Sequence, residues 1–561
     1  MGQRIGIFSR TYSHFQRYRH ILFVLLRYGF DDLIDILKVE QYLGRIRYLG
    51  FRKRGDVRQL SRAARLRLAI EELGPTFIKM GQALSTRSDL LPPDLLRELT
   101  LLQDRVPAFS TQQAKEIIEQ ELGKSIDHIF SSFVDHPIAA GSIGQVHRAR
   151  TLDGQDVAVK VQRPGIRRTI DVDLAIIHHM AQLMEKHMEL AKVQKPTKIV
   201  DEFARTLEQE LDYEIEAANI DRFREMFLGN PHIYVHQLYR ELSTDRIITT
   251  EYIDGVKPTS REKVAAAGMD PQKIAGDGAE LVMNQIFMHG FFHADPHPGN
   301  VFVMRDNIIC FLDFGMMGRL DLQSREIFAE LILNVTHRDE TRTADAVLRL
   351  THGHSLVDRS SLEREIAELI DQYVYKALKE VEISKLLRQM FDITVKYELR
   401  VPAPFFLLIK SLSQIEDLGV MLDPEFDLTT KAEPYVKRVL LKRLSAKRVL
   451  RSLTESGSDL VYLLRDVPGE MRELLKQARQ GHVKLEVDHH NLRPLRQTLG
   501  RASNRISSAI VLGSLIVGSS LIVLSGVPPK WHEIPVIGLL GYLVSGLMGI
   551  GLLRAIWKDT N

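Results

Sequence analysis

A chain of 561 residues, 44% hydrophobic and 26% charged, has the composition of a folded protein, and its length suits about two to four domains. Its formal net charge of +3 is too small to mark a nucleic-acid binder. The single cysteine, Cys310 in the apolar run NIICFLDF, excludes a disulfide framework or a thiolate metal site and fits a reducing compartment.

The charge is uneven along the chain. Residues 1–54 hold eleven Lys or Arg against four Asp or Glu, and Lys431–Arg451 is again basic; both suit an anionic surface such as a membrane. Arg4, Arg10, Arg17, Arg19 and Arg27 precede the first acid, Asp31, somewhat as in a transit peptide. The apolar ILFVLL run is short and no small-residue cleavage site follows it, so a retained amphipathic helix is expected. Residues 60–130 read as helices interrupted at LLPPDLL, because paired prolines cannot continue a helix.

A hairpin follows in GQVHRARTLDGQDVAVKVQ: Gln145–Arg150 and Val157–Gln162 are strands, and Asp153-Gly154 is their turn. RIITTEYIDGV supplies another strand, while residues 170–228, 260–290 and 320–480 read as mainly helical. The order is helices, a small β-rich lobe and a large helical lobe, an α+β arrangement.

Two charge-free apolar runs end the chain, Ile506–Gly526 with 21 residues and Ile534–Leu553 with 20. Each has the length to cross a bilayer, and the connector VPPKWHE places Trp531 at interface depth, so a transmembrane hairpin is expected. Arg493, Arg496, Arg501 and Arg505 precede the first run, Arg554 and Lys558 follow the second, and the connector has only Lys530. Both ends should therefore face the cytoplasm or the matrix. Gly541, Ser545 and Gly549 form a small-residue stripe that lets another helix approach.

The densest chemistry lies in HGFFHADPHPGNV, residues 289–301. From Asn300 to Asp313 the chain reads VFV, a polar turn MRDN, and IICFL, which predicts a β-hairpin whose ends return side by side. An amide and a carboxylate at its mouth make the hard, oxygen-rich site that Mg²⁺ prefers when water and phosphate complete its shell. Asp295 shares the loop and can orient an attacking hydroxyl or water. His293 and His297 flank it, and His-x-Asp-x-His could alternatively chelate Zn²⁺ or Fe²⁺. That alternative must find further ligands elsewhere, and neither HExxH nor CxxC occurs to supply them.

Lys160 lies on the strand VAVKV, facing away from Val157, Val159 and Val161, and needs an anionic partner. Glu210, Asp212, Glu214 and Glu216 in ELDYEIEAAN are the candidates, read as crowding one helix. Before the first strand, AAGSIGQV is a small-residue loop whose N–H groups can meet phosphates.

Small-residue loop, strand lysine, helix glutamate, D-x4-N and DFG, in that order, resemble the protein-kinase signature. The stretches FIKMGQALSTRSDLLP, PIAAGSIGQVHRA, VAVKVQRPG, ELDYEIEAAN, HADPHPGN and LDFG resemble more closely the UbiB family of atypical kinase-like proteins, tied to ubiquinone biosynthesis. The resemblance implies a bilobal kinase-like fold with a helical N-terminal extension over residues 1–125, a small lobe over 126–256, a helical lobe over 257–490 and a two-helix membrane anchor over 491–561.

It further implies ATP and Mg²⁺ as cofactors. Lys160 would contact phosphates and pair with Glu216, Asp295 would be the catalytic carboxylate, and Asn300 and Asp313 would hold the metal. Ala140, Gly141, Ser142, Ile143, Gly144 and Gln145 would form the nucleotide loop, with Glu251 to Ile253 as the hinge beside adenine. Lys79, Gly81 and Gln82 match the family's K-x-G-Q motif, and Glu210 and Asp212 its E-x-D motif; the extension would cover the place where a kinase binds a peptide.

Implied partners are membrane lipids, isoprenoid quinone precursors and other quinone-biosynthesis enzymes, with a homodimer through helices as one allowed arrangement. The implied location is the inner (plasma) membrane with the kinase-like part cytoplasmic, or the mitochondrial inner membrane in a eukaryote. The family's loop usually reads Ala-Ala-Ala-Ser; here Gly141 takes the third place, and its dihedral freedom predicts a more kinase-like grip on phosphates. Ala294 stands where a conventional kinase has the HRD arginine, and no A-P-E segment follows DFG, so peptide phosphorylation is not expected. Two other readings remain at this point: a metal-dependent polyprenylphenol hydroxylase, and a nucleotide-binding scaffold without turnover.

Overall fold

Val157, Val159 and Val161 are fully buried while Ala158 and Lys160 are only partly so, as expected of a strand with one covered face. A computed structural model describes the chain apart from residues 1–2, 33–59, 86, 88–89, 103–105, 189–194, 352–357, 375–381, 398, 444–491, 532–533 and 559–561, with backbone alone for 3–14, 492–502, 505 and 553–558. It divides into two units, Met1–Arg451 and Ser452–Asn561. The boundary expected at 490/491 falls outside the described residues.

The first unit opens with helices α1 (Gln3–Arg27), α2 (Arg62–Leu73), α3 (Pro75–Leu84), α4 (Pro93–Thr100) and α5 (Thr111–Leu122). Ser61 and Ser110 accept from backbone N–H groups at the starts of α2 and α5, the capping their side chains favour. Four strands follow, β1 (Phe130–Phe133), β2 (Ala139–Ala140), β3 (Gly144–Thr151) and β4 (Asp156–Gln162), then α6 (Ile166–His187), α7 (Pro196–Glu210), α8 (Tyr213–Met226), β5 (Ile233–Tyr234) and β6 (Ile247–Glu251). The sheet runs β1-β3-β4-β6 with β2 on β3, all antiparallel. Gly154 holds the β3–β4 turn at φ 83, a conformation glycine adopts without a Cβ penalty. Against this sheet, Ala114, Ile117 and Ile118 of α5 close a small core with the three valines.

The C-terminal half of α1 packs against its neighbours. Ile21, Leu22, Leu25 and Leu26 are buried with Ile70, Phe77 and Ile177, and Arg17 bonds Asp173 of α6 at 2.7 Å. In the described part of this helix those side chains are buried within the unit, while Phe15 and Phe23 are exposed.

Beyond β6 the chain forms α9 (Arg261–Ala266), α10 (Pro271–Met283), a π-turn (Asn284–His289), short strands β7 (Phe291–His293), β8 (Val301–Val303), β9 (Ile309–Phe311) and β10 (Met317–Arg319), and helices α11 (Leu322–Thr336), α12 (Glu340–Leu350), α13 (Arg359–Val374), α14 (Ile383–Lys396), α15 (Ala403–Leu422) and α16 (Leu428–Arg443). One large core, with Phe223, Phe291, Phe311, Phe328 and Phe405, unites these elements. The chain is a mixed helix and strand protein, a small β-rich part followed by a larger helical one. ELDYEIEAAN, expected as one helix, is divided: Glu210 ends α7, and Asp212 caps α8 by accepting from Glu214 N at 3.0 Å.

In the second unit α17 (Leu492–Ser525) and α18 (Val536–Lys558) are joined through a two-residue ladder of β11 (Lys530–Trp531) and β12 (Ile534–Pro535). Only one helix among the described residues is long and apolar enough to cross a membrane, Ile506–Ser525, with mean hydropathy 2.2. The second expected span is not shown: the described apolar part of α18 is Val536–Leu552, and Ile534-Pro535 before it is extended rather than helical. Small residues seat one helix on the other: a Cβ at Gly538 would strike Val523, and one at Gly541 would strike Ser519. The arginines expected to orient the pair lie outside the described side chains.

Candidate active site

Register places Lys160 opposite Val146 on β3 and Ile248 on β6. Its ammonium lies 2.8 Å and 3.1 Å from the two carboxylate oxygens of Glu216, and 3.2 Å from Asp313 Oδ2. Glu216, in the first turn of α8, is buried and also accepts from Phe314 N at 3.3 Å. Burial opposes the charge on Lys160, yet Asp313 and Glu216 outweigh it and hold the ammonium well above the usual lysine range. Burial likewise pushes Asp313 up, but Lys160 and the Gly315 amide draw it well below the carboxylate range. That amide donates to Asp313 Oδ1 at 2.8 Å, so the Asp-Phe-Gly turn is closed by its own first residue.

The hairpin of β8 and β9 pairs Val301 with Phe311, and Leu312 N donates to Asn300 O at 2.9 Å. Asp306 and Asn307 both sit at φ 62 in its turn, the left-handed pair that tight hairpins use and that these side chains tolerate. Asn300 and Asp313 thus emerge at the same open end. The side chain of Asp313 is 42% accessible, which leaves room for a cation beside Lys160. One carboxylate and one amide oxygen fit Mg²⁺, whose remaining positions go to water and phosphate.

Asp295 lies on the loop between β7 and β8. Its Oδ1 accepts from Gln414 Nε2 at 2.6 Å and lies 3.0 Å from Lys410 Nζ, both on α15. Burial pushes this carboxyl up, but Lys410, Gln414 and His297 together lower it. His293 Nδ1 accepts from Asp295 N at 3.1 Å, so its Nε2 carries the proton and donates to Asp313 O at 2.6 Å. His297 Nδ1 accepts from Gly299 N at 2.9 Å. The ring nitrogens of His293 are spent on the backbone, and no three His, Cys, Asp or Glu among the described residues gather as a metal centre. A His-based metal site therefore does not fit these residues.

The small-residue loop is a tight turn: Gly141 N donates to Gly144 O at 2.8 Å, and Gly141 does not occupy the left-handed region. The dihedral freedom expected to matter at Gly141 is thus unused here. Gly144 is the position that demands glycine, since a Cβ would lie 2.5 Å from the Tyr213 hydroxyl and 2.6 Å from Val161 O. Ala140 and Gly141 are half-buried, Ser142 is buried, and Ile143 packs with Phe203, Leu207 and Met80. Gln145 turns its side chain inward, accepting from Phe109 N at 3.0 Å and donating to His147, so it braces the lobe. Arg163 grips the loop by donating to Gly141 O at 2.9 Å and Pro107 O at 2.7 Å.

At the crossing between lobes, the Glu251 carboxylate accepts from Tyr234 and Gln237, and Ile253 is buried. In the extension, Lys79 of α3 lies 3.0 Å from Glu210. A Cβ at Gly81 would meet Leu102, and Gln82 donates to Leu102 O at 3.3 Å.

Sequence reasoning missed Lys410, Gln414, Asn219, Tyr213 and Arg163. A signal for the first two existed: Lys410, Ser411 and Gln414 form a polar stripe on the otherwise apolar start of α15. Asn219, buried on α8, donates to Phe314 O at 3.0 Å and fixes the Asp-Phe-Gly turn.

Comparison with known proteins matches residues 101–347 to the ABC1 atypical kinase-like domain, 366–427 to the UbiB helical domain and 490–558 to the ABC1/UbiB kinase-like C-terminal domain. The "Probable protein kinase UbiB" of Xanthomonas campestris pv. campestris (strain B100) is 34% identical over 95% of this chain and 97% of its own. That of Xylella fastidiosa (strain 9a5c) is 33% identical over 96% and 98%. An "Uncharacterized protein in hydrogenase 1 5'region" of Clostridium pasteurianum is 33% identical over 97% and 99%. Among solved structures, an Rv3197–erythromycin complex from Mycobacterium tuberculosis covers 65% of this chain and 93% of its own at 27% identity, with a TM-score of 0.43.

Proposed function

This chain belongs to the ABC1/UbiB family of atypical kinase-like proteins, and on that premise we propose that it is a membrane-anchored Mg-ATP-dependent kinase or ATPase supporting synthesis of ubiquinone or a related isoprenoid quinone. The observation that carries the reading is the junction of Lys160 with Glu216 and Asp313. A strand cation locked by a helix carboxylate, beside a second carboxylate at a hairpin mouth, is an arrangement suited to a triphosphate and its divalent ion.

Bound Mg-ATP would supply a transferable phosphoryl group and the charge to stabilise its departure. Lys160 holds the phosphates from the small lobe, Asn300 and Asp313 hold the metal from the helical lobe, and Asp295 orients the acceptor hydroxyl or water. Glu251 to Ile253 line the adenine side. The extension, docked through Lys79 and Glu210, sits where a peptide would approach, so a small acceptor, a lipid-borne one or water takes that place. Ile506–Ser525, with α18, anchors the chain in the inner membrane and brings the site to quinone precursors and membrane lipids.

The test uses the full chain and compares wild type with Lys160→Ala and Asp313→Asn, by thermal shift with Mg-ATP and by ATPase rate with and without anionic liposomes. Wild type should gain about 2.7 kcal/mol at a hundredfold excess over Kd, and both variants should lose most of it. Equal shifts in all three proteins sink the proposal. Binding without turnover in wild type points to a scaffold, and stoichiometric iron or flavin in the purified protein points to a hydroxylase.

A further inference from the structure

Tyr213, the first residue of α8, has a fixed backbone. Its N–H donates to Asp245 O at 3.0 Å, and Gln162 Nε2 donates to that same oxygen at 3.1 Å and to Leu211 O. Asp212, just before it, caps the helix. The side chain is buried, and Lys160 Nζ lies 5.1 Å from the centre of its ring. Its hydroxyl abuts the small-residue loop at Gly144, where the missing Cβ lets the backbone come down on it. That hydroxyl has no hydrogen-bond partner among the described residues. A buried hydroxyl left open is a standing cost to the fold, which a ligand oxygen can remove.

We propose that the Tyr213 hydroxyl donates to a phosphate oxygen of the bound nucleotide, as a second donor beside Lys160 and beneath the small-residue loop. The inference rests on the nucleotide reading above and adds to it a neutral donor for the phosphates. The charged groups that act on the hydroxyl are Lys160, Glu216, Asp313 and Lys79. Glu216 turns both of its oxygens to Lys160, and Asp313 is the carboxylate proposed to take the metal ion. With Mg²⁺ and nucleotide in place, the cations are left to favour an anionic acceptor at the hydroxyl. A hydrogen bond from a hydroxyl to a phosphate is charge-assisted, and so stronger than one to a neutral partner. Because the cap and the neighbouring strands already hold the ring, this donor needs no reorganisation when the nucleotide enters. Glycine at position 144 serves the same contact, since a side chain there would lift the loop off the hydroxyl. A phenol placed in this way recognises the phosphates and not the base, so a nucleoside without phosphate gains nothing from it.

The experiment titrates Mg-ATP and adenosine into the full chain, wild type and Tyr213→Phe, and measures denaturant midpoints of both proteins without nucleotide. The two midpoints should agree, because the substitution removes a hydroxyl that has no partner in the nucleotide-free fold. Kd for Mg-ATP should rise about tenfold or more in Tyr213→Phe, the loss expected for a hydrogen bond to a charged group, while adenosine should bind both proteins alike. Equal losses for Mg-ATP and adenosine overturn the inference, since the hydroxyl then supports the pocket as a whole and not the phosphates. A lowered midpoint with Mg-ATP affinity unchanged also overturns it, as does a Tyr213→Phe chain that fails to fold, because the hydroxyl then already has a partner without nucleotide. Absence of Mg-ATP binding in wild type refutes the nucleotide reading and this inference with it; equal Mg-ATP binding by wild type and Tyr213→Phe refutes this inference alone.

Discussion

The imidazole of His293 donates from Nε2 to the main-chain oxygen of Asp313 across 2.6 Å. Its Nδ1 accepts from the amide of Asp295 at 3.1 Å. One neutral ring, buried and stacked on Phe311 with centroids 5.0 Å apart, therefore ties the carboxylate proposed to orient the acceptor to the carboxylate proposed to hold the metal. Replacing it with Phe should keep the ring volume and remove both bonds. His293→Phe is expected to weaken Mg²⁺-dependent binding and turnover together, by about 10–100-fold, the usual cost of losing a group that orients metal ligands. Titration of Mg²⁺ at fixed ATP checks it; an unchanged Mg²⁺ requirement contradicts the coupling.

Lys160 neutralises two carboxylates even without nucleotide. Lys160→Met should destabilise the nucleotide-free protein by about 3 kcal/mol, because Glu216 and Asp313 then face each other without a cation. In wild type the depressed Asp313 carboxyl adds stability above its unfolded pKa and loses it as pH falls through the folded value. In the variant both carboxyls move up, so stability is lost as pH rises. The gap between the two proteins should accordingly narrow from neutral pH toward pH of about 4, as read by denaturant midpoints. A constant gap would place the effect in packing instead.

Gly144 is tested against Tyr213. Gly144→Ala should cost about 1–3 kcal/mol through the new Cβ contacts. Tyr213→Phe should be nearly neutral in the nucleotide-free protein, since its buried hydroxyl has no hydrogen-bond partner among the described residues. The double variant should regain only part of the loss, because Val161 O is backbone and cannot move aside. Full rescue would show that the hydroxyl was the sole obstacle.

His236 lies against Phe314, and its Nε2 is 3.3 Å from Leu312 O. Burial lowers its pKa to about 4. A histidine held neutral in the fold binds its proton more readily when unfolded, so stability is complete above the unfolded pKa and declines as pH falls toward the folded one. The decline from this group should amount to about 3 kcal/mol between pH of about 6.5 and about 4. His236→Gln should flatten that part of the pH–stability curve; a slope equal to wild type's would remove His236 as its source.

Much of the architecture can be read locally. Alternation of valines told which face of β4 Lys160 occupies, Asp153-Gly154 marked the β3–β4 turn, and MRDN marked the turn that returns Asp313 to Asn300. At the C-terminal pair apolar composition continues through Ile534-Pro535 although the backbone there pairs as a strand, so composition by itself does not tell where the second helix begins. Gln145 was read as part of the phosphate loop, and strand alternation alone could not tell that its side chain turns in toward Phe109 and His147.

What the amino-acid order determined by itself was which short segments turn, alternate or stay apolar, since those preferences act between residues a few positions apart. It also determined the inventory of charged groups that had to find partners. Which partner each one found was decided by tertiary packing. Lys160 meets Glu216 across 56 residues and Asp313 across 153, and Gln414 meets Asp295 across 119. Such pairings depend on how whole helices dock on the sheet and on the large core, where burial leaves a charge only the neighbours that docking supplies.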